Sequence, residues 1–332
     1  MSLSETAQRV AQNTISRDME SEDWEKAVAI NGLVDIGDEE YIEAARALMD
    51  RSIETQTSDG HFSYSFDVPV DVPLYSITDP AALGYCALEF YDRTGEEKYL
   101  DAARHQYEFF GTADRTADGG ITHLTQDTEL WVDTIYMVCP FFARYGDTTN
   151  DSEAIDDAIR QIVVQAKRLQ DPHSGLFRHK WRETPNSYPD GTFWARGNGW
   201  VTAGIIDVLE YLPDDHPDRE QLIKIFRDTC SGLVQHQDKS GFWHNVADDI
   251  ETSLEASGTL MFAYSFMKGI DAGILPEETY REPAERAMTV CEGVVNEDGD
   301  VRRVSIPEGA NTPLEPTTYG QGWFLQAAAC FI

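Results

Sequence analysis

Two kinds of helical pattern alternate along the chain. One kind carries apolar residues on a single stripe, as at Tyr41, Ala44, Ala45 and Leu48, which is typical of an outer helix that covers a core. The other kind is apolar on nearly all sides and must therefore be buried. The apolar pattern predicts six inner helices, at about residues 24–36, 80–94, 129–145, 199–212, 253–268 and 321–331. Five amphipathic helices lie between them, and residues 4–19 supply a sixth.

The helix pairs form a repeat with a period near 60 residues. The segment Gly37–Arg46 matches Gly95–Arg104 at a spacing of 58 residues. An Asp-Gly or Ser-Gly turn follows five of the amphipathic helices, and its glycines lie 59, 56, 66 and 58 residues apart: Gly60, Gly119, Gly175, Gly241 and Gly299. A period of this length fits two helices and their loops.

Six inner and six outer helices in alternation predict an all-α fold, an (α/α)6 barrel or toroid. The ring closes if the N-terminal helix packs beside the last hairpin. An open α-solenoid is the alternative, since helix-pair repeats usually stack that way. Six pairs, and the lack of a polar cap at either end, favour the closed barrel. No boundary divides the chain, so residues 1–332 are predicted to form a single domain.

Charge and composition exclude several classes of protein. The chain has 26 Lys and Arg against 59 Asp and Glu, and its net charge of −33 would repel nucleic-acid phosphates. An apolar content of 41% excludes disorder. No apolar run approaches the roughly 20 residues of a membrane helix, so we expect no membrane partner. The N-terminus lacks a basic patch followed by an apolar stretch, which predicts a cytoplasmic protein.

The acidic excess is spread over the whole chain, which has only 7 Lys against 19 Arg. This pattern is typical of proteins from halophiles, in which concentrated salt screens the self-repulsion. An ordinary acidic cytosolic protein is the alternative. The five cysteines lie far apart within apolar patterns, so we expect buried free thiols rather than disulfides or a metal site: Cys86, Cys139, Cys230, Cys291 and Cys330.

The candidate chemistry lies where the loops enter the inner helices, because these helix ends share one face of the barrel. Asp79 and Asp133 open the second and third inner helices, and Arg196 opens the fourth between Trp194 and Trp200. Helix N-termini favour anions. Two carboxylates, a guanidinium and aromatic rings around one opening predict a saccharide site, and Arg196 indicates an acidic sugar.

Each of these residues also has a structural interpretation. Asp79 precedes Pro80 and could simply cap its helix. Asp133 could stabilise a helix N-terminus, and the tryptophans could belong to the core. His123 and His179 lie in predicted loops, where histidines are usually at the surface. It is the expected convergence on one rim that favours a functional site.

Four segments resemble the unsaturated rhamnogalacturonyl hydrolases of glycoside hydrolase family 105: Trp131–Thr134, Gly175–Trp181, Trp194–Trp200 and Ser257–Tyr264. The resemblance runs from about residue 20 to the end, and its Trp-Val-Asp and Arg-Gly-Asn-Gly-Trp motifs are specific in this order and spacing. The related unsaturated glucuronyl hydrolases of family 88 share the barrel and the paired aspartates. The sequence departs from the pattern at Ala195, where the family has Gly, and in the first inner helix, from which no residue is carried over.

The resemblance implies removal of a 4,5-unsaturated uronic acid from the non-reducing end of oligosaccharides that a polysaccharide lyase has produced. It implies that Asp133 is the general acid/base and that Asp79 is the second catalytic aspartate. No metal or cofactor is expected, and the oligosaccharide is the expected partner of a monomer or small homo-oligomer. The substrate-binding residues that the resemblance implies are Trp131, His179, Arg196, Trp200 and, on a looser alignment, His123.

This chemistry requires Asp133 to hold a proton near neutral pH. We expect burial and the nearby charge of Asp79 to raise its pKa above the usual value of about 3.9. The sugar next to the uronate would be bound by loops at about 61–78, 112–128 and 181–193, in which His61, Tyr64 and Tyr75 are the candidate residues. A sugar epimerase or isomerase of the same fold, and a helical-repeat interaction protein, are the competing hypotheses.

Overall fold

The computed structural model describes residues 2–20, 22–62, 76–124, 128–307, 309–310 and 312–332. Tyr64 and Tyr75, two of the candidate residues for binding the neighbouring sugar, lie outside this part of the chain. Within it, six amphipathic helices form an outer layer: α1 (Leu3–Ile15), α3 (Glu39–Glu54), α5 (Glu97–Phe109), α8 (Ser152–Leu169), α10 (Arg219–Val234) and α12 (Glu277–Glu292).

The inner layer alternates with the outer one along the chain. It consists of α2 (Trp24–Ile36), α4 (Ala82–Thr94), α6 (Thr134–Met137), α7 (Cys139–Thr149), α9 (Ala195–Tyr211), α11 (Ser257–Asp271) and α13 (Thr318–Ala329). Every residue of α9 from Ala195 to Leu209 is buried, whereas α8 buries one face only. The predicted division into inner and outer helices of an (α/α)6 barrel is confirmed.

The ring closes between its first and last helices. Inner helix α2 packs against α13, where Gly322 lies so close to Val28 that a Cβ at position 322 would be 2.4 Å from the Val28 carbonyl oxygen. Outer helix α1 joins the same seam, because Gln321 of α13 donates a hydrogen bond of 2.9 Å to the side chain of Asn13. The structure is therefore a closed ring rather than an open solenoid.

The five repeated glycines adopt left-handed backbone conformations, with φ between 77° and 101°. Gly60, for example, has φ of 94° and lies against the next outer helix, where a Cβ would be 2.1 Å from the His105 carbonyl oxygen. Only glycine combines this φ with so close an approach at no steric cost. The glycine repeat therefore marks the same turn in each helix pair.

The third inner helix differs from the prediction of one helix over 129–145. Residues Glu129–Trp131 form a strand instead, and the helix that follows is divided at Val138 into α6 and α7. Pro140 explains the division, because it has no N–H with which to continue the hydrogen-bond ladder from α6. The residues Leu254–Glu255, which were expected in the fifth inner helix, also form a short strand.

Short antiparallel strands connect the loops around the N-terminal ends of the inner helices. Strands β1 (Glu129–Trp131), β2 (Lys180–Arg182) and β3 (Ser187–Asp190) form one sheet in that order. Two further pairs are β4 (Trp243–His244) with β5 (Leu254–Glu255), and β6 (Val304–Ser305) with β7 (Leu314–Glu315). These pairings hold the loops in fixed register over the mouth of the barrel.

The apolar core contains residues from α1 through α13. All five cysteines are free thiols, four of them buried and Cys330 partly buried, as expected. Of the helices in the described part of the chain, none combines the length and hydropathy that crossing a membrane requires.

Candidate active site

A cavity of about 380 Å³ lies where the N-terminal ends of the inner helices meet. It is the place at which the sequence predicted the chemistry. Its described lining residues are Trp24, Asp79, His123, Trp131, Asp133, Lys180, Trp194, Arg196, Trp200 and Pro307. His179 lies behind Asp133, so the structure brings all seven predicted site residues together.

Asp133 is the residue immediately before α6, and its carboxyl group is in contact with His179. The Asp133 Oδ2 atom is buried and accepts no hydrogen bond from the described residues; His179 Nε2 lies 3.5 Å away. Burial opposes ionisation, but the contact with His179 outweighs it and lowers the pKa of Asp133 to about 2. The prediction that Asp133 keeps its proton through burial and the charge of Asp79 is therefore wrong.

His179 is held on both sides by carboxylates. Its Nδ1 atom lies 2.8 Å from Asp190 Oδ2, and the ring is only 2% exposed. Thr192 donates two hydrogen bonds to the other Asp190 oxygen, of 3.0 Å from its backbone N–H and 2.7 Å from its hydroxyl. His179 is thus a fixed link between Asp190 and Asp133, and the alternative interpretation of it as a surface histidine does not hold.

Asp79 has the opposite protonation preference to Asp133. Burial, followed by the charges of Asp23, Asp133 and Glu25, raises the pKa of Asp79 well above its usual value. The nearest partner across the cavity is His123, whose Nε2 lies 3.7 Å from Asp79 Oδ1. Two neighbouring carboxyl groups with separated pKa values are a recurrent feature of acid/base sites.

His123 is also buried, at 2% exposure, so the alternative interpretation of it as a surface histidine does not hold either. Burial lowers its pKa to about 3, so its imidazole is neutral near pH 7. Its Nδ1 atom forms a hydrogen bond of 2.7 Å with the hydroxyl of Thr78. Asp79 therefore faces a neutral histidine, whereas Asp133 faces one that lies between two acidic groups.

Trp131 is fixed by contacts to its edge and its ring. Its Nε1 atom donates a hydrogen bond of 2.7 Å to Glu129, and its ring stacks on His123 at 4.1 Å. The Lys180 ammonium lies 3.3 Å from the ring centroid of Trp131. This places a positive charge at the wall of the cavity, held by a cation–π contact.

The Arg196 guanidinium is 1% exposed and donates to the opposite wall of the cavity. It forms hydrogen bonds of 2.5 Å with the Ser305 hydroxyl, 2.6 Å with the Ser305 carbonyl oxygen and 3.3 Å with the Ile306 carbonyl oxygen. A further bond of 3.2 Å joins it to Ser257. Arg196 therefore fixes the chain that leads to Pro307, and its Nε has no partner among the described residues.

The indole of Trp200 is 1% exposed and packs edge-to-face on Trp24, with 5.6 Å between ring centroids. It borders the cavity from within the core. His61, the third candidate residue for binding the neighbouring sugar, is buried with its ring 4.6 Å from that of Phe109 and is not among the described lining residues. A second cavity, of about 290 Å³ near the C-terminal ends of α9 and α11, contains none of the predicted residues.

The chain matches the family model described as Glycosyl Hydrolase Family 88 over residues 3–331. It belongs to glycosyl hydrolase family 88. Among its relatives, the unsaturated rhamnogalacturonyl hydrolase YesR of Bacillus subtilis is 27% identical over 98% of this chain and 92% of its own. An unsaturated 3S-rhamnoglycuronyl hydrolase of an Alteromonas species is 28% identical over 65% of this chain and 55% of its own.

Solved structures agree with the barrel of this family 88 chain. A possible member of family GH105 from Salmonella enterica has a TM-score of 0.86 at 23% identity, covering 99% of this chain and 93% of that one. The unsaturated glucuronyl hydrolase of Bacillus sp. GL1 has a TM-score of 0.76 at 16% identity, covering 98% and 96%. The chain is therefore a glycoside hydrolase with the six-hairpin toroid, and the resemblance stated from its motifs is confirmed.

Sequence reasoning missed four residues of the family 88 cavity and its surroundings: Trp24, Lys180, Asp190 and Pro307. Trp24 lies in the first inner helix, from which no residue had been carried over. Lys180 follows His179 directly, and this adjacency was the available signal for it. Asp190 had no signal, because only the pairing of β2 with β3 brings it to Lys180 and hence to His179.

Proposed function

We propose that the chain removes a 4,5-unsaturated uronic acid from the non-reducing end of lyase-generated oligosaccharides of the rhamnogalacturonan type. The observation that carries the proposal is the pair Asp79 and Asp133, two carboxyl groups of opposite protonation preference in one buried cavity. Carboxyl groups whose surroundings separate their pKa values in this way are a recurrent feature of acid/base sites. The likeness to YesR over nearly the whole chain supports the rhamnogalacturonan type.

The substrate's C4=C5 bond is a vinyl ether through the ring oxygen. Protonation at C4 leaves an oxocarbenium-like centre at C5, to which water adds. The hemiketal then opens and expels the neighbouring sugar, so the glycosidic bond breaks without displacement at C1. The relation between carboxylate separation and stereochemical outcome therefore does not apply to this reaction.

In this proposal Asp133 gives the proton to C4 and afterwards receives one from the attacking water. Asp79 keeps its own proton and holds sugar hydroxyls beside the neutral His123. A positioned acid/base group contributes typically 10² to 10⁴-fold to such a step. The buried and unbonded Oδ2 of Asp133 is the oxygen that is available for proton exchange.

We assign binding of the acidic sugar to the cationic and aromatic side chains that line the cavity. Lys180 and Arg196 are the cationic side chains among the described lining residues. Because the terminal nitrogens of Arg196 already hold Ser305 and Ile306, we assign the substrate carboxylate to Lys180 and give Arg196 a supporting role in shaping the wall. Trp131 and Trp200 provide the apolar surface against which the sugars pack.

The alternative is an unsaturated glucuronyl hydrolase that acts on ulvan or glycosaminoglycan fragments. The Alteromonas relative, an unsaturated 3S-rhamnoglycuronyl hydrolase, favours this alternative for part of the chain. The two activities share the unsaturated uronate and differ in the neighbouring sugar.

The test is a panel of lyase products from rhamnogalacturonan, ulvan and glycosaminoglycans, in which loss of the conjugated double bond is followed by ultraviolet absorbance. We expect the absorbance to fall fastest with the rhamnogalacturonan product, while matched saturated oligosaccharides are not cleaved. A faster fall with ulvan or glycosaminoglycan products would establish the alternative. Constant absorbance with every product would refute both.

Three broader proposals accompany the activity. We propose that residues 1–332 form one catalytic domain, supported by the uninterrupted family match. The free thiols support a reducing compartment such as the cytoplasm. The net charge of −33 supports function in concentrated salt, without nucleic-acid partners and as a monomer or small homo-oligomer.

A further inference from the structure

The low pKa of Asp133 leaves the proposed reaction without an obvious source for its proton. A carboxylate that is ionised at rest must receive a proton before it can protonate C4. A group in contact with Asp133 that can supply one is His179, whose Nε2 lies 3.5 Å from the buried Asp133 Oδ2. Catalytic contacts are often long in the absence of substrate, and a contraction of about half an ångström would complete this hydrogen bond.

The contact between His179 and Asp190 determines which ring nitrogen can exchange a proton with Asp133. Asp190 is an ionised carboxylate, because its hydrogen bonds from His179 and Thr192 outweigh burial and hold its pKa below the usual range. An ionised carboxylate can only accept, so the 2.8 Å contact requires a proton on His179 Nδ1. The proton that is exchanged must then be the one on Nε2, on the side of Asp133.

We propose that Asp190 is a positioning residue, which fixes His179 with Nδ1–H toward Asp190 so that Nε2 carries the proton exchanged with Asp133. This inference rests on the proposed function. The proton passes from His179 Nε2 to Asp133 Oδ2 and from there to C4 of the substrate. The water that adds at C5 returns one proton to Asp133, and hence to Nε2, so no proton is gained or lost over the cycle.

Several contacts make this arrangement rigid. Thr192 binds one Asp190 oxygen and leaves the other for His179. The His179 backbone donates to the Thr192 carbonyl at 3.0 Å and accepts from the Val132 N–H at 3.1 Å, which ties the ring to the segments of both acids. Gly309, with φ of 102°, covers the ring so closely that a Cβ there would be 3.3 Å from His179 Cε1.

The first test compares the pH profiles of the wild-type enzyme and D190N, which keeps the shape of the side chain and removes its charge. We expect kcat to fall about 10- to 100-fold, in line with other groups that orient a functional histidine, with KM within about twofold. Loss of the carboxylate makes the imidazolium less favourable, so the basic limb of kcat should move to lower pH by about one unit.

Other charges around His179 are unchanged in D190N, so the difference between the two profiles isolates Asp190. The charged or titratable groups next to His179 are Asp133, the adjacent Lys180 and His123. Asp79 and Arg196 line the same cavity.

A matched control is D156N, because Asp156 also lies 3.5 Å from a histidine, His216, but at the surface. It should leave kcat and the pH profile unchanged. T192V keeps the Asp190 charge but removes the hydroxyl that orients it, and should reproduce a smaller kcat loss without the shift in pH. An unchanged kcat in folded D190N, or a kcat loss without a shift of the basic limb, would overturn the proposal.

The second test needs no substrate. Long-range proton–nitrogen spectra of protein labelled at histidine, assigned with H179N, should show His179 protonated at Nδ1 across the pH range. An unprotonated Nδ1 would contradict the role of Asp190 even if the enzyme is active. If the spectra agree but no lyase product is consumed by the wild type, it is the proposed function that fails.

Discussion

Asp79 and Asp133 differ in protonation because their neighbouring histidines differ. His123 is neutral and leaves the burial of Asp79 uncompensated, so the pKa of Asp79 rises. His179 lies between Asp133 and Asp190 and stabilises the charge of Asp133. The sequence could predict the two aspartates Asp79 and Asp133 and the two histidines of the site. It could not predict which histidine faces which aspartate. That pairing depends on a 3.5 Å approach which no local pattern encodes.

The exchange of Asp133 for Asn tests the acid/base role. We expect D133N to lower kcat by about 10² to 10⁴-fold, because the amide cannot pass a proton to C4. The measurement is the loss of substrate ultraviolet absorbance, with calorimetric titration to check that binding is retained. The exposed change E43Q serves as the control. Turnover by D133N above about a tenth of the wild-type rate would remove Asp133 from this role.

The carboxyl groups of Asp23 and Glu25, at the start of α2, make the free energy of unfolding depend on pH. Burial, followed by the charge of Asp23, raises the pKa of Glu25 from 4.5 to about 8. The folded state therefore binds this proton more tightly than the unfolded state, so the free energy of unfolding falls as pH rises from about 4.5 to about 8. E25Q should flatten this decline and be more stable than the wild type at pH 8, as measured by denaturant unfolding at several pH values.

The matched control for E25Q is E43Q on the exposed face of α3, which should follow the wild-type pH dependence. An E25Q curve that is parallel to the wild type from pH 4.5 to 8 would show that Glu25 does not hold its proton in the folded state.

At the scale of elements, long periodic helices were predictable and short strands were not. The first inner helix lies at 24–36 as predicted, because its apolar residues surround the whole helix. Strands of two to four residues have too few positions to show an alternating pattern. For this reason the strand that begins the third inner segment, and the β2–β3 pairing that delivers Asp190, became visible only in the structure.

The seam between α2 and α13 offers a test of ring closure. In G322A the new Cβ would be 2.4 Å from the Val28 carbonyl oxygen, and backbone atoms on both sides cannot yield cheaply. We expect a loss of about 1 to 3 kcal/mol in the free energy of unfolding, as is typical of overpacking. G111A is the control, since a Cβ there meets nothing within 4 Å. Equal stability of G322A and G111A would contradict a tight seam.

At the scale of the whole molecule, closure of the ring brings the equivalent ends of the repeated helix pairs together and so forms the site. Because inner helices of one orientation end on the same face, residues from Trp24 to Pro307 line one cavity. The repeat period predicted this face, and the motifs predicted seven of the residues that lie at it. The protonation states depend on contacts across the face, between loops far apart in sequence, and therefore required the three-dimensional structure.

The net charge of −33 predicts that salt stabilises the molecule. Screening shortens from about 10 Å at 0.1 M to about 3 Å at 1 M, which weakens repulsion among the acids. Salt also weakens attractive ion pairs, but some, such as those of the buried Arg144 with Glu89 and Asp92, are partly shielded from solvent. Since acids outnumber bases by 59 to 26, relief of repulsion should dominate, and the free energy of unfolding should rise with KCl up to about 3 M.

A charge-reduced variant separates this screening from general effects of salt on apolar burial. Removing five exposed charges takes the net charge from −33 to −28 and leaves the core unchanged. Its salt dependence, measured by denaturant or thermal unfolding in KCl, should be weaker than that of the wild type, whereas uncharged sorbitol should affect both proteins alike. Identical KCl dependences would mean that the acidic surface is that of an ordinary acidic protein. The five substitutions are E43Q, E54Q, E108Q, E220Q and E251Q.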